Sequence, residues 1–232
     1  MTTQRRTPER ISMIRFRSLL LPVLLLAALA PGCGGIGDPP PDIDYYALEY
    51  DPPVIEARGV LPFVLRVDRF GISPFYDSNR IVYRDADFRR DAYVYHRWWA
   101  NPAEMVPHFL ARDLEATGRF KSVFVFDRNL PATHVIEGTV ETFHERDEPG
   151  QWWAALTLRI ALIEADEPDV SRRILLQRSY TEQEPCERKT PGALAAAMSR
   201  AMARASAAIA ADVFHRLGEA ADPEPQGGDR TP

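Results

Sequence analysis

The sequence predicts an α+β fold, an antiparallel sheet of about six strands with two long helices packed on one face. Three observations carry this expectation. Short runs of alternating apolar and polar residues recur along the chain. Two long stretches hold apolar residues at helical spacing behind a capping residue and a proline, and short charged turns join neighbouring runs.

In chain order, Phe63, Leu65 and Val67 alternate as a half-buried strand, and Arg80 to Arg84 and Ala92 to Trp98 read as a hairpin across the short polar connection DADFRRD. Asn101-Pro102 then supplies an N-cap and a first-position proline, with Glu104 in the first turn to suit the macrodipole. Val106, Phe109, Leu110 and Leu114, with Ala103 at its margin, form the apolar face of this helix, and Gly118 ends it. Lys121 to Phe126 is a strand, followed by a meander of three: His134 to Phe143, Trp153 to Ile163 and Arg173 to Thr181. Leu156, Leu158, Ile160 and Leu162 all point one way, so one side of the meander is buried. Thr190-Pro191 opens the second helix, which runs through Leu217 with Leu194, Met198, Met202, Ala205, Ile209 and Val213 in one stripe.

The N-terminal residues have a separate purpose. Five arginines precede an unbroken apolar run from Leu19 to Ala30, the charge-then-apolar order of a secretory signal. Twelve helical residues rise about 18 Å against a hydrocarbon core of about 30 Å, too short to span. Met13 followed by Ile14 to Arg17 begins a signal of ordinary length, which points to residues 1–12 as an upstream start. Leu29-Ala30-Pro31-Gly32-Cys33 resembles the lipobox of bacterial lipoproteins, although Pro31 and the one-place shift of Leu29 depart from the commonest pattern. That resemblance implies palmitate-type acyl chains on Cys33, and two or more chains hold a protein stably at a membrane. The alternatives, an uncleaved signal anchor or an ordinary secreted protein, leave the lone cysteine at the end of the apolar run without a reason. Gly34 and Gly35, where inner-membrane lipoproteins often carry Asp, favour the outer membrane, with the domain facing the periplasm.

The resulting organisation is a signal peptide over residues 1–32, a lipidated cysteine and flexible tether over 33–44, one domain over 45–217 and a disordered Pro-rich tail over 218–232. Removing residues 1–32 takes five arginines and one glutamate from 28 basic and 33 acidic residues, leaving a formal charge of −9 that disfavours nucleic acid. With Cys33 acylated, Cys186 stands alone and is expected to be buried and inert.

No HExxH, Gly-x-Ser-x-Gly, Walker loop or CxxC occurs, and the five histidines have no metal-ligand spacing, so neither an enzyme nor a cofactor is expected. His134 and His144 would share a strand face if the strand ran that far, about 33 Å apart. The aromatic group Tyr93, Tyr95, Trp98 and Trp99 is the best functional candidate. One of its faces should be core, while the other covers a helix of the same chain, a neighbouring subunit or an apolar ligand.

Tyr45-Tyr46, the segment from Val67 to Arg84 and Tyr95-His96-Arg97-Trp98 resemble the ABC-type transport auxiliary lipoprotein family. That family shows an opening Tyr-Tyr, a segment of the form LP.YLDR..IV.R and a Y..RW pattern before its first long helix. Here the middle motif reads Ser73-Pro74-Phe75-Tyr76-Asp77-Ser78, without the leucines, and Ile81-Val82-Tyr83-Arg84 matches closely. Tyr76 thereby joins Tyr93, Tyr95, Trp98 and Trp99 as a candidate interface or ligand contact. The likeness follows element order from 45 to 215, its specific motifs lying within 45–110. It implies a non-enzymatic scaffold or conduit component of an MCE-type (mammalian-cell-entry) lipid transport system, with an MCE-domain protein and an ABC permease and ATPase as partners. It leaves homo-oligomerisation open. A free periplasmic carrier of one apolar molecule and a structural lipoprotein of outer-membrane assembly are the competing readings.

Overall fold

The computed structural model describes residues 41–56, 59–126 and 129–221. The signal run, Cys33, most of the tether and residues 222–232 lie outside the described residues, and no helix among those described is long and apolar enough to cross a membrane.

Among the described residues nine strands form one sheet: β1 (Asp44–Tyr46), β2 (Leu61–Val67), β3 (Gly71–Ile72), β4 (Arg80–Ala86), β5 (Arg89–Trp98), β6 (Phe120–Val125), β7 (His134–Glu148), β8 (Gln151–Glu164) and β9 (Ile174–Pro185). Helix α1 (Pro102–Ala116) lies between β5 and β6, a single turn α2 (Val170–Arg173) precedes β9, and α3 (Pro191–Ala221) follows it. The α+β class stands. The sheet, however, is larger than six strands and is not purely antiparallel.

The 15-residue strand β7 organises it. One edge of β7 pairs antiparallel with β8 along its whole length, from His134↔Glu164 to Glu148↔Gln151, and β8 continues antiparallel into β9. The other edge is shared in succession by three parallel strands: β2 at His134 to Ile136, β3 at Thr139 and Val140, and β4 at Glu145 and Arg146. Beyond β2 lies β6, also parallel; beyond β4 come antiparallel β5 and then parallel β1. Alternation states which residues face the core but not which strand lies alongside. The expected hairpin and meander are therefore present, whereas the parallel pairings come as a difference. β1 and β3, at three and two residues, are too short to show any period.

Both helices pack into one core with the sheet. Leu156, Leu158, Ile160 and Leu162 of β8 are fully buried, as are Val106, Leu110 and Leu114 of α1. Along α3 the whole expected stripe from Leu194 to Leu217 is buried, and Ala197, Ala201, Ala205 and Ala210 between its larger members let the helix lie close to β8 and β9. Each fully buried Leu, Ile or Met side chain contributes about 1.5–3 kcal/mol. The helix starts are as expected: Asn101 Oδ1 accepts from Ala103 N–H at 3.0 Å, and Thr190 Oγ1 from Ala193 N–H at 3.2 Å. Gly118, at φ +61°, follows the Thr117 cap of α1. α3 runs one turn past Leu217, to Ala221.

The segment after β1 is strapped over the helices. Leu48 and Ile55 are buried, Glu49 N–H donates to Ser199 Oγ at 2.9 Å, and Tyr50 O–H donates to the buried Asp113 at 2.7 Å. Arg112 pairs with Asp113 at 2.7 Å and lies over the stacked rings of Tyr50 and Phe109, so the buried carboxylate is charge-paired and hydrogen-bonded.

Gly138 marks a close approach on β7. A Cβ there would meet the Phe70 ring at 2.7 Å, and Phe70 is itself buried. Gly138→Ala is expected to destabilise the chain by about 1–3 kcal/mol in chemical denaturation, and Phe70→Leu in the same chain should recover part of the loss. A Gly138→Ala chain as stable as the parent would show that Phe70 does not constrain this site.

Candidate functional site

The aromatic residues of β5 are distributed by a bulge. Against β4 the register passes from Arg80↔Arg97 to Val82↔Ala92, so five steps of β5 oppose two of β4 and the excess falls over Tyr93 to His96. A bulge frees backbone from the ladder and re-aims side chains. Val94 and Tyr95 point to solvent, while the rings of Tyr93 and His96 approach to 5.7 Å. After the bulge Trp98 returns to the core, 1 % exposed and edge-on to Phe143 at 5.1 Å.

Trp99, 73 % exposed, meets Tyr45 of β1 edge-to-face at 5.8 Å. β1 is the outermost strand on this side of the sheet, and the tether leads directly into it. The five candidate residues thus separate. Trp98 and Tyr76 are interior, Tyr93 is half-buried, and Tyr95 and Trp99 lie on the β1–β5 edge, where Tyr45 and Val94 join them. Family-motif residues hold this edge in place. Asp77 accepts from Asn101 Nδ2 at 2.8 Å, fixing the side chain that caps α1, and the ring of Tyr46 packs edge-on to His96 at 5.8 Å.

Beneath the bulge sits an acid pair that the sequence reading did not single out. Glu145 is 1 % exposed, and Tyr93 O–H donates to its carboxyl oxygens at 3.1 and 3.2 Å. Burial, then the hydrogen bond and charge of Asp147, push the Glu145 carboxyl up to about 8. Oδ1 of Asp147 has no donor among the described groups, and a protonated Glu145 supplies one. Lys189 pairs with Asp147 and lies 5.9 Å over Trp152. An open cleft of about 500 Å³, lined by Tyr83, Tyr93, Tyr95, His96, Asp147 and Lys189, lies above the pair. The arrangement holds a proton against an aromatic wall. It is not a nucleophilic site, because burial pushes the nearby Cys186 thiol up to about 11 and keeps it protonated. Glu145 and Asp147 share a face two residues apart on β7, but their burial depends on Tyr93 of β5 and Lys189 ahead of α3, so the spacing alone does not announce it.

A second feature is an apolar groove of about 640 Å³ between residues 54–56 and α3, lined by Val54, Ile55, Ala207, Ala211 and Phe214. The histidines do not combine. β7 extends far enough to hold both His134 and His144, but the register steps from Val140↔Leu158 to Thr142↔Thr157, making Glu141 an extra residue. That bulge inverts the alternation, so His134 shares the core face with Leu162 while His144 falls on the opposite face with Ala155.

A carboxyl whose folded value lies above its unfolded value of about 4.3 contributes its full stability below that value and loses it as pH rises toward about 8. The native chain should therefore lose stability at this site as pH rises from 4.5 to 8. Glu145→Gln, read by thermal melts across that range, should flatten the dependence and exceed the parent at pH 8. A parent profile unchanged by the substitution would mean that Glu145 is ionised when folded.

Comparisons with known proteins agree with this architecture. Protein XCC0632 from Xanthomonas campestris superimposes with a TM-score of 0.69 at 17 % identity, covering 77 % of this chain and 99 % of that one. A crystal structure of an uncharacterized protein gives 0.57 at 16 % identity, covering 75 % and 99 %. At such identities the likeness is one of fold alone. No curated protein sequence matches. The model of the ABC-type transport auxiliary lipoprotein component matches residues 46–210, most of the described domain. The chain belongs to the family of ABC-type transport auxiliary lipoprotein components.

Proposed function

We propose that this chain is a periplasmic scaffold or conduit component of an MCE-type ABC lipid transport system, acylated at Cys33, held at the outer membrane and docked to its partner through the β1–β5 edge. Family membership supports an auxiliary role in ABC transport at the cell envelope. The observation that carries the docking edge is the Tyr45–Trp99 pair, two large rings packed on each other and left exposed, with Tyr95 and Val94 on the same edge. Aromatic residues are enriched at protein interfaces, and rings already ordered in the free protein lose little entropy on binding. β1 adds an unpaired strand edge among the described residues, a ready acceptor for a partner strand. The eleven residues from Cys33 to β1 span at most about 40 Å, which keeps this edge close to the bilayer.

Co-purification from membranes with an MCE-domain protein, a permease and an ATPase tests the assignment. Trp99→Ala with Tyr45→Ala should reduce recovery of these partners at least tenfold while leaving the melting curve nearly unchanged. Trp98→Ala should instead cost about 3–5 kcal/mol of stability. Full partner recovery by the Trp99/Tyr45 double variant would remove the edge from the proposal, and no partner recovery by the parent would remove the transport assignment.

The apolar groove beside α3 favours a second reading, a carrier that holds one apolar molecule, because its volume falls in the range of small-ligand sites. On that reading, native mass spectrometry of the chain released from membranes shows one bound lipid per chain, and Ala207→Trp, which fills the groove, abolishes it. A parent spectrum free of bound lipid would count against the carrier.

A further inference from the structure

The face of the sheet opposite the helices holds a different kind of site. There the loop from Ser73 to Asn79 and the β4–β5 hairpin approach β7 and β8 around a polar cavity of about 210 Å³, to which Tyr76, Arg84, Arg90, His144 and Arg146 contribute. The cavity holds roughly seven water volumes, enough for a small polar group and below the range of pockets for whole drug-sized ligands.

Three guanidinium groups converge there. Arg146 reaches the outer face through the same Glu141 bulge that turns His144 outward, and Arg84 and Arg90 come from the two strands of the hairpin. Charge balance within the protein is partial. Arg84 is paired with Asp87 at 2.8 Å, Arg146 with Glu148 at 3.2 Å, and Glu182 at the cavity's margin with Arg204 at 3.1 Å. Arg90 lies 5.1 Å over the Phe75 ring.

His144 is the second, independent sign. It is 94 % buried, stacks on Tyr76 at 5.6 Å and shares a hydrogen bond with the Tyr76 hydroxyl through Nδ1 at 3.0 Å, yet its Nε2 has no partner. Nε of Arg146 is likewise buried and unpartnered. Unpaired buried polar atoms are uncommon and costly. Burial and the charges of Arg90, Arg84 and Arg146 hold the imidazole down to about 4, so the ring is neutral at working pH. In the tautomer whose Nδ1 accepts from Tyr76 O–H, the ring hydrogen sits on Nε2 and makes it a donor.

We propose that this cavity binds a phosphate-type oxyanion, with Arg84, Arg90 and Arg146 as charged donors and His144 Nε2 as the neutral one. Planar guanidinium forks match phosphate geometry. The anion satisfies two groups that the fold leaves without partners, and it offsets the repulsion among three like charges. Free phosphate and a phospholipid headgroup share this chemistry. The site is independent of the docking edge and of the groove beside α3.

The experiment uses the full chain in neutral detergent, with calorimetric titration of inorganic phosphate and flotation with vesicles of phosphatidylcholine alone or containing phosphatidic acid. Saturable phosphate binding that weakens at least tenfold in Arg90→Gln, whose side chain is exposed and whose loss should leave the fold intact, supports the site. His144→Phe should weaken binding less, about three- to tenfold, without removing the arginines. Stronger retention on phosphatidic acid vesicles that Arg90→Gln abolishes names the headgroup as source; phosphate binding with no vesicle preference names the free ion. No saturable phosphate binding by the parent, or binding unchanged in both Arg90→Gln and His144→Phe, overturns the proposal.

Discussion

The structure depends on one strand that joins the two halves of the sheet. β7 gives its full length on one side to β8 and divides its other side among β2, β3 and β4. Such a strand cannot be replaced by shorter pieces, because the two halves of the sheet meet only through its hydrogen bonds. At the division it carries the Glu141 bulge, and the ring of Phe70 presses onto Gly138 just before it. Past that point every side chain has changed face. Phe143 therefore meets Trp98 in the core, Glu145 falls beneath the bulge of β5, and His144 and Arg146 emerge on the outer face.

Buried polar groups are distributed according to what each half must hold. Asp113 is satisfied by Arg112 and Tyr50 and pins the strap that leads from β1 across the helices. Glu145 is satisfied only partly by Tyr93 and relies on keeping its proton. His144 and Arg146 retain atoms with no partner at all. The three cases form a series from structural closure to open valence, and the open end of the series lies at the cavity under the β4–β5 hairpin. The same hairpin carries, through the bulge of β5, the exposed rings of the opposite edge, so both candidate surfaces belong to the half of the sheet built on β4.

Much of the framework could be read in the chain itself, for reasons that differ between elements. α1 and α3 were legible because capping residues, the following proline and a 3.6-residue apolar stripe are local signals, and Asn101 and Thr190 act as caps in the fold. The β8 register was legible because Leu156, Leu158, Ile160 and Leu162 leave one choice of buried face. β1 and β3 were not legible, since two or three residues carry no period. In the aromatic set, sequence identified the cluster but could not separate Trp98 from Trp99, because the β5 bulge inverts the parity on which that separation relies. Glu145, Arg90 and Arg146 stood unremarked, Arg84 entered only as a motif residue, and His144 only as a strand histidine alongside His134.

Sequence by itself determined the α+β class, the family, both long helices, the hairpin, the meander and the core face of β8, all of which rest on interactions between residues near one another in the chain. The parallel order of strands around β7, the switch of face at Glu141, the burial of Glu145 beneath Tyr93 and the arginine cavity were decided only by tertiary structure. Each of these depends on pairing between segments far apart in sequence. Backbone hydrogen bonds of that kind are nearly indifferent to side-chain identity, so the pattern of residues along a strand does not name the strand that will lie beside it.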